Sequence, residues 1–386
     1  MTNYPTSVQE PPRSAIKLPK NEKEDSFLTT HMMKPLFKYP GGKYSEYKYL
    51  SKLFPKFSFY VEPFLGGGAS YWATDADKWL INDFSDELVS VYLFTRNQDP
   101  LFIEGIREVS ELWQLKNIYC NKIMQIMEIP ENKAYNEKLF SLISRQLSNV
   151  TNVMPVEKDD LEKELSSSFN RKIKTITRFT KQNRVTHAPE NALGILGSAI
   201  YTYLRSMYNS IEFGANPQIK TVLYFFMREY SYSSMFRFNL SGNFNVPFGG
   251  NSYAKKSFQQ RLLQITDPDV VNKLRNTEIK QGDFSQAMPD QLNTFIFLDP
   301  PYDTEFSTYN LHVFDAHEQI RLRNKLAELN KSKWLIVTKS TPFIEKLYSD
   351  NSWYKYRFYK HYSVNFKNRN TQSSEHLVVT NYKTEG

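Results

Sequence analysis

The sequence predicts an α/β fold, a mostly parallel sheet with helices on both faces, interrupted by an inserted, mainly helical region. Three observations support this prediction. Short apolar runs alternate with helical periodicity before residue 100 and after residue 270, several of these runs end in an acidic residue, and the alternation stops in between. Strands that alternate with helices favour a parallel sheet, because each parallel connection must cross a face of the sheet.

The chain begins with a polar, proline-rich stretch at residues 1–33, which is predicted to be a flexible tail with Met32-Met33 as a hypothetical natural start. Residues 57–61 then alternate as a strand does and lead into Glu62, a glycine cluster at 66–68 and a short helical run. A second strand at 78–82 ends at Asp83 and precedes a helix. The pattern predicts a strand, a tight loop and a helix, followed by a second such unit.

The same rhythm returns near the C-terminus. Residues 277–282 form a predicted strand that leads to Asp283, and residues 294–298 form an apolar strand that leads to Asp299. Further strands are predicted at 333–338, 354–359 and 376–380, and helices at 86–96, 315–330 and 342–349.

The intervening region is predicted to be helical at 101–146 and 190–210. Residues 156–186 carry an acidic segment and then a basic run without acids. That run could neutralise phosphates, or it could be a solvated helix face. Its members are Arg171, Lys172, Lys174, Arg178, Lys181 and Arg184.

Composition narrows the class of partner and compartment. The chain of 386 residues is longer than one core needs, which favours one large domain with an insertion. Lys and Arg number 49 against 41 Asp and Glu, so a polyanionic partner is favoured. Cys120 is the single cysteine, no Cys/His spacing resembles a zinc site, and no apolar run has membrane-spanning length or the form of a signal peptide. The sequence therefore predicts a cytosolic protein without a metal site.

Acidic residues after predicted strands indicate a nucleotide-type site. Loop glycines let the backbone approach a ligand, and an acid after the second strand can accept hydrogen bonds from ribose hydroxyls. These features favour an adenosine-containing cofactor without saying which one. The cluster at 66–68 lacks the GxGxxG spacing of dinucleotide sites, and the absence of a GxxxxGK(S/T) pattern argues against a Walker-type triphosphate site. A tight strand–helix turn with ordinary caps is the alternative. Residues 37–43 (FKYPGGK) offer an aromatic platform and a cation at the end of a glycine turn. The alternative is an ordinary loop with a solvated lysine.

The segment Asp299-Pro300-Pro301-Tyr302 follows the apolar strand at 294–298. Open α/β sheets bind ligands at this end of their strands, and proline cannot donate a backbone hydrogen bond. A carboxylate, a stiff carbonyl and an aromatic face together suit a flat ring with an exocyclic amino group. The alternative is a structural proline turn whose aspartate caps a helix.

Residues 233–248 are predicted to form a β-hairpin that exposes Arg237 and asparagines, including Asn239, near a tight turn. Arginine can pair with a guanine edge in the major groove, and Met235 or Tyr232 could fill the space left by a displaced base. A structural hairpin with a surface arginine is the alternative.

These motifs together resemble the Dam-type, alpha-class DNA adenine-N6 methyltransferases. The resemblance rests on FKYPGGK (37–43), VEPFLGGGA (61–69), INDF ending at 84, RFNLSGNFNVPFGG (237–250), QGDF (281–284) and DPPY (299–302), which occur in that family's order. It covers roughly residues 35–95 and 224–382. It implies a Rossmann-like seven-stranded methyltransferase sheet with an inserted target-recognition domain that carries the hairpin.

The resemblance also implies roles for individual residues. The cofactor is expected to be S-adenosylmethionine, with Tyr39 and Lys43 lining its site, Phe64 and Gly66 along the methionine part and Asp83 at the ribose. Asp283 and Phe284 are expected at the adenine ring, Glu62 in the same site, and Asp299 between cofactor and target base. Asp299 and Pro300 are expected to brace the amino group, with Tyr302 stacked on the base. Arg237 matches the family's guanine-contacting position, and the DNA-binding set is Arg237, Tyr232, Met235 and Asn239.

The predicted function is methyl transfer to N6 of an adenine flipped out of duplex DNA. The alternatives are a methyltransferase acting on RNA or single-stranded DNA, and a catalytically silent sequence-specific DNA-binding protein. The predicted domains are a catalytic domain at 34–99 and 270–386 and a target-recognition domain at 100–269, whose DNA-reading hairpin spans 235–250. A restriction endonuclease is a candidate functional partner. The protein is expected to be a monomer or weak dimer, bacterial or phage-encoded, and cytoplasmic in association with the nucleoid.

Overall fold

A computed structural model of the chain describes residues 33–37, 39, 46–149, 151–181, 188–301, 314–361 and 373–384, without the side chains of 180–181, 359–361 and 373–374. The predicted tail lies outside these residues except for Met33, which packs against the main core. Lys43, Tyr302 and Arg184 also lie outside them, as does the side chain of Lys181.

The described residues form one seven-stranded sheet, and all seven predicted strands are present in it. Apolar, β-branched and aromatic residues dominate the central strands, as expected where both faces are covered. The strands are β1 (Phe59–Glu62), β2 (Lys78–Asp83), β3 (Thr277–Gln281), β4 (Thr294–Leu298), β5 (Lys333–Lys339), β6 (Tyr354–His361) and β7 (Ser373–Thr380).

The strand order is β3-β2-β1-β4-β5-β7-β6. Strands β1 to β5 run parallel, while β7 is antiparallel to both β5 and β6. The chain builds outward from β1 to β3 and then returns to place β4 on the other side of β1. The order of strands therefore reverses between β1 and β4, and a crevice for ligands is expected outside their carboxyl ends.

The helices alternate with the strands in the first and last parts of the chain and follow one another in the middle. They are α1 (Tyr47–Leu50), α2 (Ala69–Ala73), α3 (Asp86–Asn97), α4 (Pro100–Glu128), α5 (Lys133–Ser148), α6 (Lys158–Lys181), α7 (Ala188–Ser210), α8 (Pro217–Tyr230), α9 (Asn251–Ala254), α10 (Gln259–Ile265), α11 (Pro268–Arg275), α12 (Ala316–Glu328) and α13 (Pro342–Leu347).

The two faces of the sheet have separate cores, and β4 shows the alternation clearly. Phe295 and Phe297 pack into a large cluster with α3 and the middle helices, whereas Ile296 and Leu298 pack into a second cluster with α12 and α13. All four side chains are fully buried. This two-residue period places helices on both faces and confirms the predicted fold class.

The middle helices share the first of these cores with the sheet. The predicted single helix at 101–146 is two helices, α4 and α5, because Pro130 lies between them and cannot continue a helix. The buried Glu108 organises the turn before α6, since its carboxylate accepts hydrogen bonds from the backbone N–H groups of Asn152, Val153 and Met154. No helix in the described part of the chain is long and apolar enough to cross a membrane.

Candidate active site

The loop after β1 turns sharply at two glycines in the left-handed region. Gly66 has φ 50° and Gly68 has φ 64°, and Gly68 precedes the first residue of α2. A Cβ on Gly68 would lie 2.8 Å from the Tyr92 hydroxyl, and one on Gly67 would lie 2.9 Å from Cβ of Tyr39. Only glycine fits this close approach, so the cluster at 66–68 has a steric reason beyond a generic turn.

Asp83, at the end of β2, fixes that loop from the neighbouring strand. Its Oδ2 accepts a hydrogen bond from the Gly66 N–H at 2.9 Å, and its Oδ1 accepts one from the Ser85 N–H at 3.0 Å. Burial raises the pKa of the Asp83 carboxyl, while the two amide bonds and the charge of Arg228 act in the opposite direction. The carboxylate therefore holds the glycine loop and still has lone pairs for a further donor.

Asn82 joins the ends of three strands, a role that the sequence interpretation missed. Its Nδ2 donates to the Pro63 carbonyl after β1 and to the Gly282 carbonyl after β3, both at 3.0 Å. In return, the Leu65 N–H donates to the Asn82 carbonyl at 2.9 Å. The signal in the sequence was an amide side chain in an otherwise apolar strand.

Glu62, the predicted acid at the end of β1, points into the protein. It is 3% exposed, and its Oε2 accepts a hydrogen bond from the Tyr60 hydroxyl at 2.9 Å. Burial raises the pKa of this carboxyl to about 8, and the charge of Asp299 acts in the same direction. The influence of Asp299 on Glu62 shows that the ends of β1 and β4 lie within electrostatic reach of each other.

Asp283, after β3, is held by an arginine from α12. Its two oxygens accept from Arg321 Nη1 at 3.0 Å and Nη2 at 2.5 Å, and Arg321 also pairs with Glu318. The Ser285 N–H donates to Oδ1 at 2.9 Å. Hydrogen bonding to Arg321 lowers the pKa of Asp283 to about 2, so this acid is ionised under all ordinary conditions.

Three aromatic rings stand next to these acids. The rings of Phe64 and Phe284 lie 5.2 Å apart at an interplanar angle of 30°, and Phe314 packs edge-on against Phe64 at 5.5 Å. Arg321 covers the Phe284 ring at 4.3 Å. Phe64 and Phe284, which come from the loops after β1 and β3, thus form one aromatic wall.

The segment after β4 emerges next to the glycine loop. Asp299 is half-buried, Pro300 is buried and Pro301 is exposed. The fully buried Gln319 of α12 donates from Nε2 to the Pro301 carbonyl at 3.1 Å and so anchors the turn. Neither Gln319 nor its contact was predicted from the sequence.

The predicted hairpin is an antiparallel pair of segments held by two isolated bridges, Ser231–Phe248 and Phe238–Phe244. A 3-10 turn at Tyr232–Ser234 interrupts its first segment, and side chains of α7 bind backbone groups of its second segment. Asn209 bonds both the N–H and the carbonyl of Phe244, and the Tyr201 hydroxyl donates to the Val246 carbonyl at 2.8 Å.

The side chains of the hairpin differ in exposure. Arg237 is exposed and donates from Nε to Asn245 Oδ1 at 3.3 Å, whereas Tyr232 and Met235 are partly buried. Asn239 Oδ1 accepts from the N–H groups of Ser241 and Asn243, so its oxygen closes the turn.

No group of three or more His, Cys, Asp or Glu side chains in the described residues could hold a metal ion. The carboxyl ends of β1 to β4 instead gather a glycine loop, four carboxyl groups, an aromatic wall and a rigid proline turn. Such a set suits a ligand with hydroxyl groups and a flat ring beside a second group that carries N–H donors.

Comparison with known proteins agrees with this geometry. The family model of the D12 class N6 adenine-specific DNA methyltransferases matches residues 39–138 and 136–364. The type II methyltransferase M.CviBI of Paramecium bursaria Chlorella virus NC1A is 34% identical over 165 residues, which are 41% of this chain and 60% of that protein.

Two further relatives align over more of their length. M1.LlaDCHI, a type II methyltransferase of Lactococcus lactis subsp. cremoris, is 22% identical over 91% of this chain and 96% of its own. The DNA adenine methylase of Escherichia coli (strain K12) is 20% identical over 74% of this chain and 72% of its own. Because the family model spans most of the sequence and its matched range includes every strand from β1 to β6, the chain belongs to the D12 class of N6 adenine-specific DNA methyltransferases.

Proposed function

We propose that this protein transfers a methyl group from S-adenosylmethionine to N6 of an adenine flipped out of duplex DNA. The observation that carries the proposal is the meeting of the glycine loop after β1 and the Asp299-Pro300-Pro301 turn after β4 at the point where the strand order reverses. A ligand on one side and a reacting base on the other can approach each other only there.

The residues present fit an adenosine-containing cofactor. The loop at 66–68 has no room for side chains at Gly67 and Gly68. Asp83, at the end of the neighbouring strand, holds the loop by accepting a hydrogen bond from the Gly66 N–H. Asp83 is proposed to accept from the ribose hydroxyls, and Asp283 and Phe284 to contact the adenine ring. Phe64 and Gly66 are proposed to lie along the methionine part, and Tyr39, Lys43 and Glu62 to line the same site. Bound S-adenosylmethionine would supply a methyl group activated by its sulfonium.

Asp299 and Pro300 are proposed to prepare the target nitrogen. An adenine amino group is a poor nucleophile because its lone pair is delocalised into the ring. If its two N–H groups donate to the Asp299 carboxylate and the Pro300 carbonyl, the nitrogen becomes pyramidal and its lone pair is available. Positioning and electrostatics then supply most of the rate enhancement, and the proton can leave after the transfer. Tyr302 is proposed to stack on the base.

Residues 100–269 are proposed to recognise the target, and residues 34–99 and 270–386 to carry out catalysis. Exposed Arg237 is proposed to read a guanine edge, with Tyr232, Met235 and Asn239 beside it. The second half of α6 presents Arg171, Lys174 and Arg178 at the surface, where they are proposed to neutralise phosphates. Replacing all three by alanine should weaken duplex binding and reduce its dependence on salt, and an unchanged salt dependence would exclude this role.

The test of the proposed function is transfer of a labelled methyl group from S-adenosylmethionine to DNA that lacks methylation, followed by digestion to nucleosides. Label in N6-methyl-2′-deoxyadenosine from duplex DNA is expected, and no label above background would overturn the proposal. Equal or faster labelling of RNA or single strands would favour the alternative substrates. Tight duplex binding without label would favour a silent DNA-binding protein. The cytoplasmic location, the monomeric or weakly dimeric state and a restriction endonuclease partner stay predictions.

A further inference from the structure

Arg228, on the last turn of α8, is a buried cation that the proposed site has not used. Its side chain is 1% exposed, and its Nε donates to the Tyr224 hydroxyl at 3.0 Å. Within the described residues it forms no ion pair, its Nη1 has no hydrogen-bond partner, and the Tyr39 hydroxyl is a second side-chain hydrogen-bond partner. A buried guanidinium without a carboxylate partner is costly, and a methionine or leucine would fill the same space without that cost. The charge therefore calls for an explanation.

Aromatic rings surround the guanidinium in place of a carboxylate. Its central carbon lies 4.4 Å from the ring centre of Tyr39, 4.3 Å from that of Phe236 and 5.2 Å from that of Tyr224. Such contacts stabilise a desolvated cation through the negative faces of the rings. The positive charge of Arg228 lowers the pKa of the Asp83 carboxyl, against the larger effect of burial.

Two of these rings belong to different functional segments. Tyr39 packs on the glycine loop, since its Cβ lies 2.9 Å from where a Cβ of Gly67 would be. Phe236 precedes Arg237 in the hairpin and stacks on Phe244 at 4.5 Å, which ties the two sides of the hairpin together. Arg228 is thus in contact with the wall of the proposed cofactor site and with the base of the proposed DNA-reading segment.

We propose that Arg228 is a positioning residue that holds Tyr39 against the glycine loop and Phe236 against α8, so that cofactor affinity and DNA affinity both depend on it. This inference rests on the proposed function. Arg228 acts through Tyr39 and Phe236 rather than on a ligand, because its whole side chain is buried. Its guanidinium contacts both the proposed cofactor-binding segment and the proposed DNA-reading segment, so a change at Arg228 should affect both affinities.

The first experiment measures S-adenosylhomocysteine binding by calorimetry and duplex binding by fluorescence anisotropy in wild type, Arg228→Met and Arg228→Lys. Arg228→Met should weaken both by about tenfold and raise KM for S-adenosylmethionine, while kcat at saturation stays within about threefold. The two affinities of Arg228→Lys should lie between those of wild type and Arg228→Met, since lysine keeps the charge but lacks the planar group. If Arg228→Met does not fold, Arg228→Lys carries the same comparison.

Lys220→Met is the matched control. Lys220 lies on the same helix, stands over the ring of Tyr208 at 3.7 Å and donates to a backbone carbonyl. The ring it covers is that of Tyr208, not of Tyr39 or Phe236, although Tyr208 packs edge-on against Phe236 at 6.0 Å. Replacement of Lys220 should leave both affinities unchanged. If Lys220→Met weakens them as much as Arg228→Met does, the effect is a general loss of packing in α8 and the proposal is overturned.

A double-mutant cycle with Tyr39→Leu decides whether Arg228 acts through Tyr39. In the Tyr39→Leu background, Arg228→Met should weaken S-adenosylhomocysteine binding by less than about twofold. A full tenfold effect in that background would show independent action and overturn the proposal. Failure of wild type to bind S-adenosylhomocysteine would instead count against the proposed function, so the two failures are distinguishable.

Discussion

Asp83 and Asp283 follow adjacent parallel strands in the same way, yet their surroundings shift their pKa values in opposite directions. Asp83 ends β2, one strand away from the reversal between β1 and β4, and its oxygens accept from backbone N–H groups while burial raises its pKa. Asp283 lies nearer the edge of the sheet, where Arg321 lowers its pKa to about 2. The comparison shows that two carboxylates at equivalent places after neighbouring strands can have different pKa values, because the surrounding groups differ.

The same contrast extends to the other two strand ends. Glu62 at the centre is more deeply buried than Asp83, and its pKa is raised to about 8. Asp299 is half-buried beside the proline turn, at the reversal of strand order. The central acids are therefore expected to affect catalysis and stability strongly, and the Asp283 region only weakly. Four substitutions test this order.

Asp299→Ala should have the largest effect. Removing the carboxylate that is proposed to brace the amino group should lower the rate of methyl transfer about a thousandfold or more, measured in a single turnover with labelled cofactor. DNA affinity should change by less than about threefold, because the hairpin is untouched. Methylation at the wild-type rate would exclude the mechanism proposed for this acid.

Glu62→Gln should alter how stability depends on pH. Because the folded pKa is above the unfolded value, the unfolded state loses its proton first, and wild type becomes less stable as pH rises. This group should remove about 3 kcal/mol from the free energy of unfolding between pH 5 and pH 8. Glutamine keeps the acceptor for Tyr60 and does not titrate. Urea unfolding at both pH values should show the loss in wild type alone, and parallel curves would contradict the raised pKa.

Asp83→Asn should loosen the glycine loop. Asp83 accepts hydrogen bonds from two backbone N–H groups, and in the variant one of them would face the amide NH₂ instead of an oxygen. That donor would be left unpaired, at a cost of about 1–3 kcal/mol. S-adenosylhomocysteine binding should weaken by about tenfold, measured by calorimetry. Asp283→Asn is the matched comparison, and an equal loss of stability in both variants would remove the distinction between centre and edge.

Arg321→Met should have the smallest effect. The pKa of Asp283 should return from about 2 toward its usual value. The folded-state pKa of Asp283 in wild type is below the unfolded value, so this acid stabilises the fold above pH 4 and loses that effect as pH falls toward 2. The variant should therefore lose less free energy of unfolding than wild type does between pH 4 and pH 2. The difference should be under about 1 kcal/mol, since both side chains are about one-third exposed. Carboxyl NMR titration checks the pKa directly, and an unchanged value would exclude Arg321 as its cause.

The strands were the most predictable part of the fold. Each of the seven was visible as an apolar or alternating run, because strand formation here follows local pattern and two-sided burial. Helix α8 was not predicted, since its aromatic and apolar residues give no clear polar face and are nearly all buried. The hairpin was predicted as a regular pair of strands, but a 3-10 turn at Tyr232–Ser234 interrupts one side and only two isolated bridges form among the described residues.

The sequence by itself determined the glycine loop, the acids that end the strands and the proline turn, because each depends on neighbouring residues and on the preferences of glycine and proline. Only the tertiary structure decided which acids are buried and which are paired. It also decided that Asn82 and Gln319 anchor the loops after the strands, and that Arg228 lies against Tyr39 and Phe236. Asn82 and Gly282 are 200 positions apart, yet they share a hydrogen bond. Burial and electrostatics depend on such distant neighbours, and these follow from the order of the strands rather than from any local pattern.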